Sequence, residues 1–143
     1  MELTYILFSI ANSLILILWI PLLMAPKWHF TQRMIQAPYV PFLLSFFYLF
    51  FLINDGGLAE ADFSSLEGIL ALYRNATPEA AAAGWMHYLA FDYWIGCWML
   101  RDAQQKAVPH FLILVPLLCT FMLGPVGIML YVILSQIRLV IKK

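Results

Sequence analysis

Long apolar stretches alternate with short polar breaks along this chain, and four of the stretches approach or exceed the length of a membrane crossing. A helix needs about 20 mostly apolar residues to span ~30 Å of hydrocarbon. The candidates are residues 5–24, 38–53, 79–100 and 111–138. Pro26 closes the first, and Lys27, Trp28, His29 and Arg33 then suit a turn at the headgroup level. The second opens with Pro38 and Pro41, placed where a missing N–H costs least, and stops at Asn54-Asp55-Gly56-Gly57. Thr77-Pro78-Glu79 gives the third an N-cap, a proline at the first helical position and an acid in the first turn. The fourth is longer than one crossing requires. Pro116 and Gly124-Pro125-Val126-Gly127 predict that it is bent, or else broken so as to line a ligand site.

Between spans two and three, Phe63, Leu66, Ile69, Leu70 and Tyr73 recur with a 3.6-residue period. A short amphipathic interfacial helix is expected there. Within the first span, Ser9, Asn12 and Ser13 share one side, which predicts a helix-contact face. Met1-Glu2-Leu3-Thr4 carries no basic n-region, and the apolar run behind it is too long for a signal peptide, so the first span is expected to be retained.

The fold expected is therefore all-α: a polytopic integral membrane four-helix bundle forming a single domain over residues 1–143. An even number of crossings puts both ends of the chain on one side. Lys27, Arg33, Arg101 and Lys106 then face one compartment, and Arg74, Arg138, Lys142 and Lys143 the other. That balance gives no orientation by the positive-inside rule.

Composition supports the membrane reading, since 64% apolar and 11% charged residues lie outside the soluble range. A formal net charge of zero argues against a nucleic-acid surface. Cys97 and Cys119 sit in separate apolar spans without disulfide or metal spacing, and are expected to be small buried hydrophobes. No P-loop, dinucleotide fingerprint, nucleophile elbow or His-Glu-x-x-His motif is present, and no metal or cofactor is expected.

Chemistry concentrates in the third span, because ionisable groups at membrane depth are costly and usually face a protein interior or a wet cavity. At 100° per residue, Trp85, Tyr88, Asp92, Gly96 and Met99 share one stripe. His87, Phe91, Trp94, Trp98 and Arg101 share another, about 140° away. Asp92 is the leading candidate for a general acid or base, and His87 for its complement. The competing reading makes Asp92 polar glue between helices, bonded to a group such as Asn12. Trp85, Tyr88, Trp94 and Trp98 offer flat apolar walls, with Gly96 allowing close approach and Asn12 a polar contact. Arg101 and Asp102 stand at the water boundary as polar support.

These residues carry a resemblance. Leu23-Met24-Ala25-Pro26-Lys27-Trp28, then Trp85-x-His87-Tyr88-Leu89-Ala90-Phe91-Asp92-x-x-Ile95-Gly96-x-Trp98, then Pro116-Leu117 and Gly124-Pro125-Val126-Gly127, resemble the abscisic-acid-deficient-4-like membrane proteins. Plant members of that family are plastid membrane proteins required to make neoxanthin from violaxanthin. The resemblance implies a four-helix membrane protein whose partner is a carotenoid or another isoprenoid lipid. The reaction it implies is a cofactor-independent isomerisation of an epoxide end group. The alternative is a non-catalytic carotenoid binder or assembly factor, and a homo-oligomer fits either reading. No plastid transit segment precedes the first span, so a bacterial cytoplasmic membrane is the expected location.

Overall fold

A computed structural model describes residues 2–56 and 61–141, with side chains through Arg138. Gly57 of the expected turn, and the terminal Lys142 and Lys143, lie outside the described residues. The described residues form seven helices and no strand: α1 (Glu2–Met24), α2 (His29–Gln36), α3 (Tyr39–Asp55), α4 (Leu66–Arg74), α5 (Pro78–Gln105), α6 (His110–Leu123) and α7 (Pro125–Ile141). Among the described residues, α1 is long and apolar enough to cross a membrane alone, and α2 with α3 passes as one pair bent by 62°.

Several helix ends follow from their capping residues. Ser65 accepts from the Gly68 N–H and starts α4, while Thr77 accepts from the Ala80 N–H at 3.0 Å and starts α5. Just ahead of α4, Asp62 accepts from both serine hydroxyls, and the bonds from Ser65 and Ser64 hold its carboxyl down at about 2. Gly56 ends α3 in the left-handed region at φ +69°. α4 buries none of its residues, and Leu66, Leu70 and Tyr73 are exposed along it. That is the outward apolar face expected of an interfacial helix.

α5 is the axis of the fold, 28 residues and about 42 Å long. α1 runs parallel to it: Thr4 donates to Glu79 at 2.7 Å near the start, and Tyr93 Oη donates to the Leu18 carbonyl at 3.5 Å further along. α3 runs antiparallel, with Tyr48 beside His87 and Asp55 accepting from Thr77 at 2.5 Å. α2, expected as a turn, is a short amphipathic helix that buries Thr31 and Ile35 one turn apart. Arg101 reaches across to its Ile35 carbonyl at 3.4 Å.

The face of α1 that meets the bundle is Ala11, Ile15, Trp19 and Leu22, all essentially buried. Of the polar stripe expected to make that contact, Asn12 accepts from Trp85 of α5 at 3.0 Å, while Ser9 and Ser13 point outward. A small residue on α5 also shapes the contact. A Cβ at Gly96 would come within 2.7 Å of the Trp19 ring. Gly96→Leu should therefore prise α1 from α5, lowering stability by the ~1–3 kcal/mol typical of overpacking, read as a fall in melting temperature.

The largest departure from expectation is the fourth apolar stretch. It is not one crossing but a helical hairpin, folded back at Gly124. A Cβ on Gly127 would collide with Thr120 and with the Pro116 carbonyl. On a continuous helix, Pro116 and Gly127 would stand about 16 Å apart. Near the other end of the hairpin, Phe111 and Leu112 share a groove with Ile137 and Arg138. The physical reason is local: Gly124 sits at φ +42° and ψ −92°, and Pro125 cannot supply the N–H that would continue α6.

Both arms lie beside the second half of α5. His110 at the start of α6 donates to the Leu23 carbonyl at 2.8 Å, and Tyr131 of α7 donates to Asp102 at 2.5 Å. The hairpin tip reaches Asp92, at the midpoint of α5. α6 enters from the C-terminal end of α5, and α7 returns to it. The start of α1 and the end of α7 consequently lie at opposite ends of the bundle, not on one side as four crossings would require.

Candidate functional site

Asp92 occupies a cavity of about 460 Å³ built by three elements. α1 contributes Asn12 and Leu16, and α5 contributes Trp85, Tyr88, Leu89 and Asp92. The hairpin tip, Phe121 to Pro125, closes the remaining wall. The volume falls within the ~300–1,000 Å³ of sites that take small organic ligands. Helical spacing explains the α5 contribution, since positions 85, 88, 89 and 92 are one and two turns apart.

The carboxylate is half-buried and receives no hydrogen bond or ion pair from any described residue. The Trp85 indole N–H, a ready donor beside it, is spent on Asn12 Oδ1 at 3.0 Å. The Gly124 backbone lies against the carboxylate, and a Cβ there would fall 2.6 Å from Asp92 Oδ1. Gly124 is thus required twice, for a backbone conformation closed to L side chains and for this close approach. The first turn of α7 starts at the tip, so its free N–H end is near the acid.

The sequence-derived site residues divide between this cavity and other places. Asn12, Trp85, Tyr88 and Asp92 come together in it. His87 does not: it stacks on Phe91 at 4.7 Å and faces Tyr48 of α3 at 6.0 Å. The expected pairing of Asp92 with His87 around one reacting group is therefore not what the fold builds, because the two project from different faces of α5. Trp94 and Trp98 line a separate, small recess of about 40 Å³ with Arg101 and the start of α3. Gly96 is filled by Trp19 and admits no ligand.

Arg101 and Asp102 hold helices together at the α5 C-terminal end. Arg101 ties α5 to α2, while Asp102 pairs with Lys106 at 2.7 Å and accepts from Tyr131. Partial burial raises the Asp102 pKa, but the Lys106 and Tyr131 bonds and the Lys106 charge outweigh it, so the net shift is downward. A depressed carboxylate contributes stability that is present above its ordinary pKa and lost as pH falls through the lowered one. Tyr131→Phe should cost on the order of 1 kcal/mol at pH 7, and the difference should shrink as denaturation is followed into the acid range below pH 4.

Phe121, Leu123, Gly124 and Pro125 were not assigned to the site from sequence. Their one signal is Gly124-Pro125 itself, which marks a break able to line a ligand site. Among the described residues no three His, Cys, Asp or Glu side chains cluster. Both cysteines are free, Cys97 buried and Cys119 half-buried.

A family model, ABA DEFICIENT 4-like, matches residues 6–131. The match takes in every wall of the Asp92 cavity and most of the hairpin. The chain belongs to the ABA DEFICIENT 4-like family. No curated protein and no solved structure gives a significant match. Within this ABA DEFICIENT 4-like chain, Asp92 and the Gly124-Pro125 tip meet in space while standing more than thirty residues apart in sequence.

Proposed function

We propose that the chain is a multi-pass protein of a bacterial cytoplasmic membrane, in which α1, α3 and α5 cross and the α6–α7 hairpin re-enters to mid-depth. We further propose that it binds a carotenoid-like isoprenoid at Asp92 and isomerises an epoxide end group without a cofactor. The observation that carries the reading is an unpaired carboxylate facing an aromatic and apolar cavity at the centre of the longest helix. Family membership supports the link to xanthophyll synthesis.

The charge distribution supports the topology. Lys27, Arg33, Arg101, Lys106 and Arg138 belong to the α5 C-terminal end of the bundle, and Arg74 to the other. The tie left by four crossings disappears once the last stretch is a hairpin. The positive-inside rule then places the α5 C-terminal end in the cytoplasm.

In the proposed reaction, ionised Asp92 takes a vinylic proton from the carbon beside the ring. The electron pair released forms the new double bond, and the epoxide C–O bond breaks. Tyr88, which lines the same cavity, donates a proton to the departing oxygen and recovers one from Asp92. Substrate and product are isomers, so no oxidant or reductant is consumed. Tyr88 takes the place expected of His87.

A second reading, a non-catalytic binder, is favoured by one observation: Tyr88 and Trp85 are 54% and 47% exposed, so the cavity opens widely to the outside. Reconstitution with an epoxy-carotenoid separates the two. Bound pigment whose end group is unchanged supports the binder, and an isomer with a shifted visible spectrum supports the enzyme. Pigment that neither binds nor changes contradicts both.

A further inference from the structure

The two arms of the hairpin diverge from the tip, leaving a groove of about 790 Å³ between α6 and α7 that opens at the α5 C-terminal end. Its walls include Phe111, Val115, Leu130, Ile133 and Leu134. The sole charged residue in the lining is Arg138, near the mouth. Its Nε is buried and has no hydrogen-bond partner, and no described residue forms an ion pair with its guanidinium.

Among the described residues, no free carboxylate stands at this end of the bundle to answer that charge. Glu2, Asp55, Asp62, Glu67 and Glu79 belong to the opposite end of the bundle. Asp92 lies at mid-depth, and Asp102 is committed to Lys106 and Tyr131. Lys27, Arg33, Arg101 and Lys106 add only like charge at this end. Arg138 is half-buried, and a buried Nε–H without an acceptor is costly, so an anion at the mouth of the groove is the natural complement.

We infer that the α6–α7 groove seats one anionic phospholipid, its acyl chain between the arms and its phosphate on Arg138. A guanidinium fork matches phosphate geometry and forms paired N–H···O bonds to it. The apolar walls take a hydrocarbon chain, as lipid-facing surfaces do, but here the chain is flanked on both sides by protein. The basic end of the bundle would face the leaflet richest in anionic lipid. The bound lipid would also brace the arms that hold the tip against Asp92. This inference rests on the membrane reading above.

The test uses the full chain, extracted in detergent and exchanged into bilayer discs of phosphatidylcholine containing a minor share of phosphatidylglycerol. Native mass spectrometry then counts the lipids retained on gentle release. The expected result is one phosphatidylglycerol per chain, enriched over phosphatidylcholine. Arg138→Gln should reduce that enrichment about tenfold or more. Val115→Trp, which fills the groove from an exposed position, should displace the lipid while the melting temperature shows the chain still folded.

Equal retention of both lipids, or an enrichment unchanged in Arg138→Gln, overturns the inference and leaves the membrane reading standing. A dimer that excludes lipid from the groove overturns it as well, making a second copy the occupant. A chain that purifies folded without detergent removes the membrane reading itself.

Discussion

Asp92→Asn should still retain pigment yet convert it at least 10²-fold more slowly, the loss typical of removing a positioned acid or base. Asparagine keeps the shape and fills the same space beside Gly124, so the cavity survives. What disappears is the capacity to take up and release a proton. If Asp92 were inter-helix glue, the same substitution would act on stability and leave the conversion rate per folded molecule unchanged. That no described residue donates a hydrogen bond to the carboxylate argues for the first outcome. Turnover and pigment stoichiometry measured on one preparation separate the two. His87→Asn serves as the contrast. From its place against Phe91 and Tyr48 it should leave turnover within a few-fold of the parent.

The second large effect is at the hinge of the hairpin. Gly124→Ala should destabilise the fold by roughly 1–3 kcal/mol through backbone strain alone, since φ +42° with ψ −92° is closed to residues with a Cβ. The added methyl also meets Asp92 Oδ1, and that cost is separable from the first. Asp92→Gly removes the colliding side chain without relieving the strain. Gly124→Ala should therefore cost less in the Asp92→Gly background than in the parent, a coupling that a double-mutant cycle on thermal stability would reveal. Additive effects would mean that the tip and the acid do not touch.

Helix ends are legible in the sequence wherever a capping residue marks them. Thr77-Pro78 and Gly56 each stand where the structure places a boundary. The outward apolar face of α4 follows from its 3.6-residue period. The hairpin is only half legible. Gly124-Pro125 announces a break, but a break does not say whether the chain continues onward or turns back. That is decided by long-range contacts, the fit of Gly127 onto Pro116 and Thr120 and the bond from Tyr131 to Asp102.

The contact face of α1 was legible only in part for a related reason: Asn12 of the polar stripe meets α5, but Ser9 and Ser13 do not. In an apolar protein, polarity alone does not mark the packed side. Ala11, Ile15, Trp19 and Leu22 pack by shape, against a glycine and rings on other helices. Within the site, the stripe of Trp85, Tyr88 and Asp92 could be read from helical spacing, and so could its separation from His87. The tip residues that complete the cavity could not, because nothing local to Phe121 or Leu123 points to a helix so distant in sequence.

The tip of the hairpin meets Asp92 only if the last two helices come back to the side they left. Thiol accessibility in oriented vesicles decides it. In a background with Cys97 and Cys119 replaced by Ala, single cysteines at Arg74, at Gln105 and appended after Lys143 would be treated with a membrane-impermeant reagent. The Gln105 and appended sites should react from one face and the Arg74 site from the other. Labelling of the appended cysteine from the same face as Arg74 would mean that the stretch crosses completely, and no hairpin tip would stand opposite the acid.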